Sequence, residues 1–400
     1  MGRYLLKQAL LSILKLFLFV TIMFFLIQIL MPGDFVDQFA LGLTRTERER
    51  LRVSLGIDLP LWRQYLNWIG GVFTGNLGTS GYGYPVSTVF LFILPATLLV
   101  FLPGTAIAFF IGLRLGKVTA WRGRTLLSST TTLGGITLST SFPPWLAWLI
   151  AYFFGRQATV SRGGTGGLRT FTFPNITRSI WMNTDVRPHA ITNNMFFSLI
   201  AVVFLFMVVN TILKRLTRRS IPGFLLMILI TVTMIGSWYL FGFEVLAIDL
   251  LQSAGLPLLT YVLLTFGETM VIMRTSMTEV MKEEYITTAR AKGLPDSTIR
   301  ERHAARNALL PVLSRLVITL PYLLTGIVII EDSLNWPGVG SWMWLSLYWQ
   351  DIPVVMGVLL IVGLISLVAR LFLDVLAAYL DPRIRYVEIQ PRVSAEASQR

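Results

Sequence analysis

The sequence predicts an all-α protein that crosses a membrane several times. Hydrophobic residues make up 54% of the 400 residues and charged residues only 14%, whereas a soluble domain carries about 25% charged residues. The mean hydropathy is +0.67. The apolar residues form long runs, and the basic residues cluster between those runs. A chain with so little polar surface is expected to be solvated by lipid.

Eight stretches are long and apolar enough to be membrane spans, since a span needs about 20 mostly apolar residues. Backbone groups in lipid must be hydrogen-bonded within their own segment, so each stretch is expected to be a helix. Pro95, Pro103, Pro143, Pro144 and Pro321 are expected to kink these helices. The predicted spans are 10–31, 90–113, 128–153, 195–213, 221–243, 255–273, 309–330 and 352–373.

The N-terminal run follows two basic residues, as in a secretory signal peptide. It is longer than a typical signal-peptide core and no small-residue cleavage site follows it, so we interpret it as an uncleaved first membrane helix. Segment 34–89 is expected outside the cell membrane. Its Trp62, Tyr65 and Trp68 are suited to the membrane interface.

The basic residues orient the spans. With a cytoplasmic N-terminus, the inside loops are 114–127, 214–220 and 274–308, and all six lysines lie on or beside the cytoplasmic face. This agrees with the positive-inside rule. The predicted outside loop 156–194 argues against it, because it holds five arginines and one aspartate. We keep this topology, with both termini in the cytoplasm.

Residues for catalysis or nucleotide binding are scarce. His189 and His303, the only histidines, are predicted on opposite sides of the membrane, and there is no cysteine. The string Gly112–Lys117 has the wrong spacing for a phosphate-binding loop. We therefore expect no enzyme activity, no metal and no cofactor in this chain. The net charge of +13 is assigned to loops beside lipid and not to nucleic-acid binding.

The charged loop 274–308 is predicted to form two short helices. The first ends at Gly293, a residue suited to the position just after a helix. Pro295 begins the second, in which Thr298 and Glu301 fit a capping box. A short amphipathic helix at a membrane face can dock into a groove of a partner. The alternative is a solvated helix without a partner.

This loop contains two strings, Tyr285-Ile-Thr-Thr-Ala-Arg-Ala-Lys-Gly-Leu294 and Arg302-His-Ala-Ala-Arg-Asn-Ala-Leu-Leu-Pro311. They resemble the coupling loop of the oligopeptide, dipeptide and nickel permease family of ATP-binding-cassette (ABC) importers, which docks on the ATPase subunit. The wider superfamily has Glu and Ala at the two positions that Thr287 and Thr288 occupy in this chain. The resemblance implies that the coupling residues are Tyr285, Thr287, Thr288, Ala289, Arg290, Ala291, Lys292, Gly293, His303, Arg306, Asn307 and Pro311.

Other strings extend the resemblance over most of the chain. The similar segments are 55–65, 75–80, 94–97, 336–340, 351–355 and 380–386. They occur in the family's order and at both ends of the chain, which makes the set more specific than any one string.

The resemblance implies a type-I permease fold of about eight transmembrane helices, six from the family and two in an inserted hairpin. Residues 1–86 would form the first helix and an outside loop. Residues 87–380 would form the permease domain, with the insertion at 156–249 and the coupling loop at 279–311. Residues 381–400 would be a cytoplasmic tail.

The function implied is that of a permease in the cytoplasmic (inner) membrane, forming half of a pathway for peptides or a similar solute. Its partners would be a second homologous permease, an extracytoplasmic solute-binding protein, membrane lipid, and two ATPases that bind ATP and magnesium. Nickel complexes or oligosaccharides are alternative substrates. An ion-coupled secondary transporter is the alternative mechanism, but it predicts inverted repeats and several midplane charges. A membrane-embedded enzyme would need convergent acid and histidine residues, which the spans lack.

Glu268 is the one clear carboxylate inside a span, 255–273. An intramembrane carboxylate is by default a functional residue facing the bundle interior, so Glu268 is a candidate pathway residue. Alternatively it is a packing residue near a helix end, with Arg274 about two turns away. Arg315 and Arg370 lie near predicted cytoplasmic helix ends and are expected to snorkel.

Overall fold

The computed structural model describes residues 2–31, 33–39, 42–123, 125–154, 181, 184, 186–217 and 221–380. Only the backbone is described at 2–8, 39, 317–326, 369 and 372–380. Over these ranges the chain is helical, and extended pairing is limited to a bridge between Thr79 and Pro85.

The helices are numbered in chain order. They are α1 (Gly2–Leu30), α2 (Arg45–Leu55), α3 (Leu61–Thr74), α4 (Val86–Trp121), α5 (Leu126–Ser139), α6 (Pro143–Phe154), α7 (Pro188–Thr217), α8 (Gly223–Leu240), α9 (Glu244–Val280), α10 (Glu284–Ala291), α11 (Ala305–Ser333), α12 (Val339–Tyr348) and α13 (Ile352–Leu380). A helical turn at Asp296–Thr298 and a π-helical turn at Ile299–Ala304 lead into α11.

Helices cover all eight predicted spans. Within the described residues, five helices are long and apolar enough to cross a membrane by length and composition. The prediction of an all-α polytopic membrane protein is therefore confirmed.

The predicted span 128–153 is wrong in one respect, because it is two helices and not one kinked helix. Helix α5 ends at Ser139, and Pro143 and Pro144 are the first residues of α6. Proline lacks the N–H that an interior helical position must donate, so it begins a new helix more readily than it continues one. Both halves pack against α9. Together they form one interrupted span beside it.

Helices α4 and α9 form the centre of the bundle and pack along much of their length. An added Cβ at Gly112 would lie 2.7 Å from the carbonyl oxygen of Phe266, and one at Gly116 would lie 2.7 Å from that of Met270. Small residues four apart let two membrane helices approach this closely. The Gly112–Lys117 string that fails as a phosphate loop is therefore a helix-packing motif.

The predicted inserted hairpin corresponds to α7 and α8, which lie at the outside of the bundle with most of their side chains exposed. The Trp238 indole nitrogen donates to the Ser198 hydroxyl at 2.9 Å and joins the two helices. The amide oxygen of Asn210 accepts from the backbone N–H of Ile221 at 2.9 Å. The remainder of the predicted loop 156–194 lies largely outside the described residues.

Helix α3 packs on α1. The hydroxyls of Tyr65 and Thr21 are 2.9 Å apart, and Trp68 stacks on Phe24 with ring centroids 5.9 Å apart. Trp62 keeps 56% of its surface exposed. Of the three aromatic residues predicted for the membrane interface, only Trp62 faces outward.

Candidate functional site

Two buried side chains anchor the short helix α10. Ile286 and Ala289 are 0% and 7% exposed, and they pack in one apolar cluster with Met273 and Met277 of α9 and Ala308 of α11. Full burial of an isoleucine side chain stabilises the folded state by roughly 1.5–3 kcal/mol. The predicted loop is therefore a fixed part of the bundle and not a free solvated segment.

The end of α10 has the geometry predicted for Gly293. The residue has a φ of +72°, and its N–H donates to the Arg290 carbonyl at 2.9 Å. The N–H of Leu294 donates to the Ala289 carbonyl at 3.4 Å. These two bonds are the Schellman arrangement, in which glycine is favoured because it adopts left-handed dihedrals without a Cβ penalty.

A hydrogen bond joins the two strings of the loop. The side-chain amide of Asn307, on α11, donates to the Tyr285 hydroxyl on α10 at 2.7 Å. The two residues are 22 positions apart in the chain. The sequence places both in the motif, and the structure brings them into contact.

The C-terminal end of α4 contacts the other side of the loop. The Arg290 guanidinium lies 5.7 Å from the centre of the Trp121 ring, a cation–π distance. The Lys117 ammonium donates to the Glu301 carboxylate at 2.5 Å. This hydrogen bond is the largest of the effects that lower the pKa of Glu301. Lys117, Trp121 and Glu301 are positioning residues that the motif did not include.

Most motif residues are exposed, including Arg290 and Asn307, which also make the contacts described above. This exposed set is Tyr285, Thr287, Thr288, Arg290, Ala291, Lys292, Gly293, His303, Arg306, Asn307 and Pro311. One face of α10 is thus anchored while the other is available to a partner.

The predicted capping box at Thr298 and Glu301 is wrong. The second helical segment begins at Asp296, directly after Pro295, so Thr298 already has helical dihedrals and makes no side-chain capping bond. A residue with helical dihedrals cannot serve as an N-cap. Glu301 binds Lys117 and Arg300 instead.

Glu268 forms an ion pair within the chain. Its carboxylate lies 3.3 Å from the Arg315 guanidinium of α11, and the two side chains are 42% and 52% exposed. Arg315 was expected to snorkel; its guanidinium pairs with Glu268 on the neighbouring helix and stays half exposed, and snorkelling remains a prediction. Arg274, the partner considered from the sequence, donates to the Thr132 hydroxyl at 2.5 Å.

Two adjoining depressions meet at this ion pair. A narrow cleft between α4, α9 and α11 and an open groove beside α5 both have Glu268 and Arg315 in their walls. Hydroxyl side chains supply much of the remaining polar lining, namely Thr105, Thr265 and Thr269 in the cleft and Ser139 and Thr140 in the groove.

The fully buried carboxylate of Glu331 accepts hydrogen bonds at the end of the bundle opposite α10. The Thr97 hydroxyl and the N–H of Gly340 each donate to Glu331 at 2.7 Å. The Trp336 indole nitrogen donates to the Ala96 carbonyl at 3.0 Å. The strings 94–97 and 336–340 therefore meet around Glu331, a residue that sequence reasoning missed because it lies at the edge of an apolar run with no distinctive spacing.

A second contact at this end joins two further strings. The Ser80 hydroxyl donates to Asp351 at 2.5 Å, and the N–H of Gly81 donates to the same carboxylate at 3.2 Å. Ser80 closes the string 75–80, and Asp351 begins the string 351–355. The string 380–386 lies outside the described residues, apart from the backbone of Leu380.

The chain matches two family models. The binding-protein-dependent transport system inner membrane component model matches residues 216–386, and the N-terminal model of the same transport system membrane component matches residues 1–84. Transporters of this kind work with a solute-binding protein and an ATPase, and their membrane components cross the inner membrane several times.

Relatives that match the chain over nearly their full length are permease proteins of peptide transport systems. The chain is 28% identical to the oligopeptide transport system permease protein of Bacillus subtilis, over 96% of this chain and 100% of the relative. It is 27% identical to the dipeptide transport system permease protein of Lactococcus lactis, over 96% and 100%. It is also 27% identical to the dipeptide transport system permease protein of Escherichia coli, over 94% and 96%. The chain belongs to the binding-protein-dependent transport inner-membrane component family and is a permease subunit of the peptide-type ABC importers.

Proposed function

We propose that this chain forms half of an ATP-driven import pathway for peptides. The named transport systems of its full-length relatives favour peptides over nickel complexes or oligosaccharides. The other half would be a second homologous permease. Two ATPases would bind ATP and magnesium, and an extracytoplasmic binding protein would deliver the solute. This chain would hold no cofactor and perform no covalent chemistry.

The attachment of α10 carries the coupling part of the proposal. The helix is anchored through Ile286 and Ala289, tied to α11 by Tyr285 and to α4 by Arg290. Its other face is exposed. A partner that displaces α10 would therefore displace the inner ends of α4, α9 and α11 together, as a rigid-body switch requires.

The proposed orientation places α10 in the cytoplasm, where an ATPase can reach it. It rests on the lysines, of which Lys117, Lys214, Lys282 and Lys292 lie at or near the same ends of the helices as α10. Both termini would then be cytoplasmic. The end that holds Glu331 would face the binding protein.

Glu268 is proposed to line the pathway. A lone charge at the centre of a membrane helix costs roughly 2.5–3.5 kcal/mol on insertion scales. The pair with Arg315 lowers this cost, but about half of each side chain remains exposed. Water in the groove would solvate that exposed part, whereas lipid would not.

Reconstitution tests the proposed function. The complete complex in liposomes is expected to accumulate a labelled tripeptide only with ATP, with the binding protein, and with intact ATPase subunits. Accumulation driven by an ion gradient without ATP would support the secondary-transporter alternative. Accumulation of nickel complexes or oligosaccharides in place of peptides would keep the mechanism and change the substrate.

A further inference from the structure

The ion pair of Glu268 and Arg315 is accessible to a solute. The Arg315 Nε lies 3.3 Å from the Glu268 Oε1, and 42% of the Glu268 side chain and 52% of the Arg315 side chain remain exposed. The cleft, of about 20 Å³, has room for about one water molecule, whereas the open groove is much larger and also has both residues in its wall. A solute in the groove can therefore reach one charge of each sign.

The surroundings of this pair suit the parts that all peptides share. Hydroxyl oxygens of Thr265 and Thr269 line the cleft and those of Ser139 and Thr140 line the groove. Thr265, Ser139 and Thr140 donate to backbone carbonyls three or four residues earlier, so their oxygens can accept a hydrogen bond from a peptide N–H. The rest of the lining includes small or aliphatic side chains such as Ala108. Such walls offer hydrogen-bond acceptors to the N–H groups of a peptide backbone. Apart from Glu268 and Arg315, their lining residues carry no charge that would select a particular peptide side chain.

We infer that Glu268 and Arg315 bind the two charged ends of a peptide as it passes. The α-ammonium of the peptide replaces Arg315 at Glu268, and the α-carboxylate replaces Glu268 at Arg315. The two exchanges together replace one ion pair by two, so neither the ends of the peptide nor the two side chains stay unpaired inside the membrane, where an unpaired charge is costly. The inference rests on the proposed function and names the feature of the substrate that this site recognises.

The test compares one labelled tripeptide in three forms: with free ends, N-acetylated, and C-amidated. ATP-driven uptake by each variant is divided by wild-type uptake of the same form, which cancels the preference of the binding protein. Glu268→Gln is expected to lower uptake about tenfold for the two forms that keep the ammonium and to spare the acetylated form. Arg315→Gln is expected to lower uptake of the two forms that keep the carboxylate and to spare the amidated form.

Glu279→Gln and Arg370→Gln serve as charge-removal controls, because both residues are exposed and neither lines the cleft or the groove. Neither variant should discriminate between forms, even if Glu279→Gln, at the start of the coupling loop, changes uptake of all three. The double variant Glu268→Gln/Arg315→Gln leaves no unpaired charge and serves if a single variant fails to assemble; it should equalise all forms. Saturation-transfer NMR of the three peptides with the purified transporter, without the binding protein, gives a second readout of which end is in contact.

Two results would overturn the inference. One is an equal loss for all three forms, which would identify the pair as a structural brace between α9 and α11. The other is unchanged uptake in both variants. In either case wild-type uptake of the free peptide would leave the proposed function intact, whereas wild-type liposomes that accumulate no peptide would refute the proposed function itself.

Discussion

The hydroxyl of Tyr285 accepts a hydrogen bond from the side-chain amide of Asn307 at 2.7 Å. This contact joins the two strings of the coupling motif, which lie on α10 and α11. An isolated α10 of eight residues is far too short to be stable in water. Its shape and position therefore depend on contacts of this kind.

Breaking the Tyr285–Asn307 contact should weaken coupling. Tyr285→Phe and Asn307→Ala are each expected to reduce uptake per ATP hydrolysed, while the double variant does little more than either single one. The net contribution of such a hydrogen bond is about 0.5–1.5 kcal/mol. Uptake and ATPase rates measured on the same liposomes test this. Fully additive losses would show that the two residues act independently.

Gly293→Trp should uncouple the transporter while leaving it folded. A side chain at a left-handed position costs about 1–2 kcal/mol, and no atom lies within 4 Å of the added Cβ, so the disturbance is confined to the end of α10. Membrane expression should persist while uptake falls. Gly242→Trp is the matched control, because Gly242 has a φ of +71° and equally open space at a turn far from α10 in the chain. Normal transport by Gly293→Trp would mean that this loop is not the coupling element.

Glu268→Leu should impair transport more strongly than Glu268→Gln. Both variants remove the carboxylate that pairs with Arg315. Glutamine keeps a carbonyl oxygen that can accept a hydrogen bond from the guanidinium, whereas leucine offers no acceptor. Uptake and thermal stability are measured together. If Glu268→Leu transports normally and only melts at a higher temperature, Glu268 is a packing residue and not part of the pathway.

Glu331→Leu should destabilise the end of the bundle opposite α10. The Thr97 hydroxyl and the N–H of Gly340 would lose their acceptor, at about 1–3 kcal/mol for each buried group. Glu331→Gln retains one carbonyl oxygen and should lose less. Thermal unfolding in detergent measures the order of stability of wild type, Glu331→Gln and Glu331→Leu, with the exposed Glu279→Gln as control. Equal melting of Glu331→Leu and wild type would contradict the role assigned to Glu331.

The absence of cysteine makes the topology easy to test. Single cysteines at Thr217 and Ser297 should be shielded from an impermeant thiol reagent in intact cells, because both positions are proposed to be cytoplasmic. A cysteine at Tyr84, 65% exposed at the opposite end, should react. Thr165 should react as well, although it lies outside the described residues. Labelling of Thr217→Cys from outside would overturn the proposed orientation of the hairpin.

The sequence by itself determined the helical spans and the end of α10. Long apolar runs require helices because lipid offers no partner to backbone groups, and Gly293 between a helical string and Pro295 predicts a helix end. These are local properties, and neighbouring residues are sufficient to reveal them. The two strings of the coupling loop were also recognisable, because they keep their order along the chain.

Only the tertiary structure decided which residues meet. Thr97 and Glu331 are 234 positions apart, Ser80 and Asp351 are 271 apart, and Glu268 and Arg315 are 47 apart. Hydropathy records whether a residue enters the membrane but not which helix faces it there. Side-chain pairing depends on how whole helices pack, and the close approach of α4 and α9 at Gly112 and Gly116 is a property of two surfaces together.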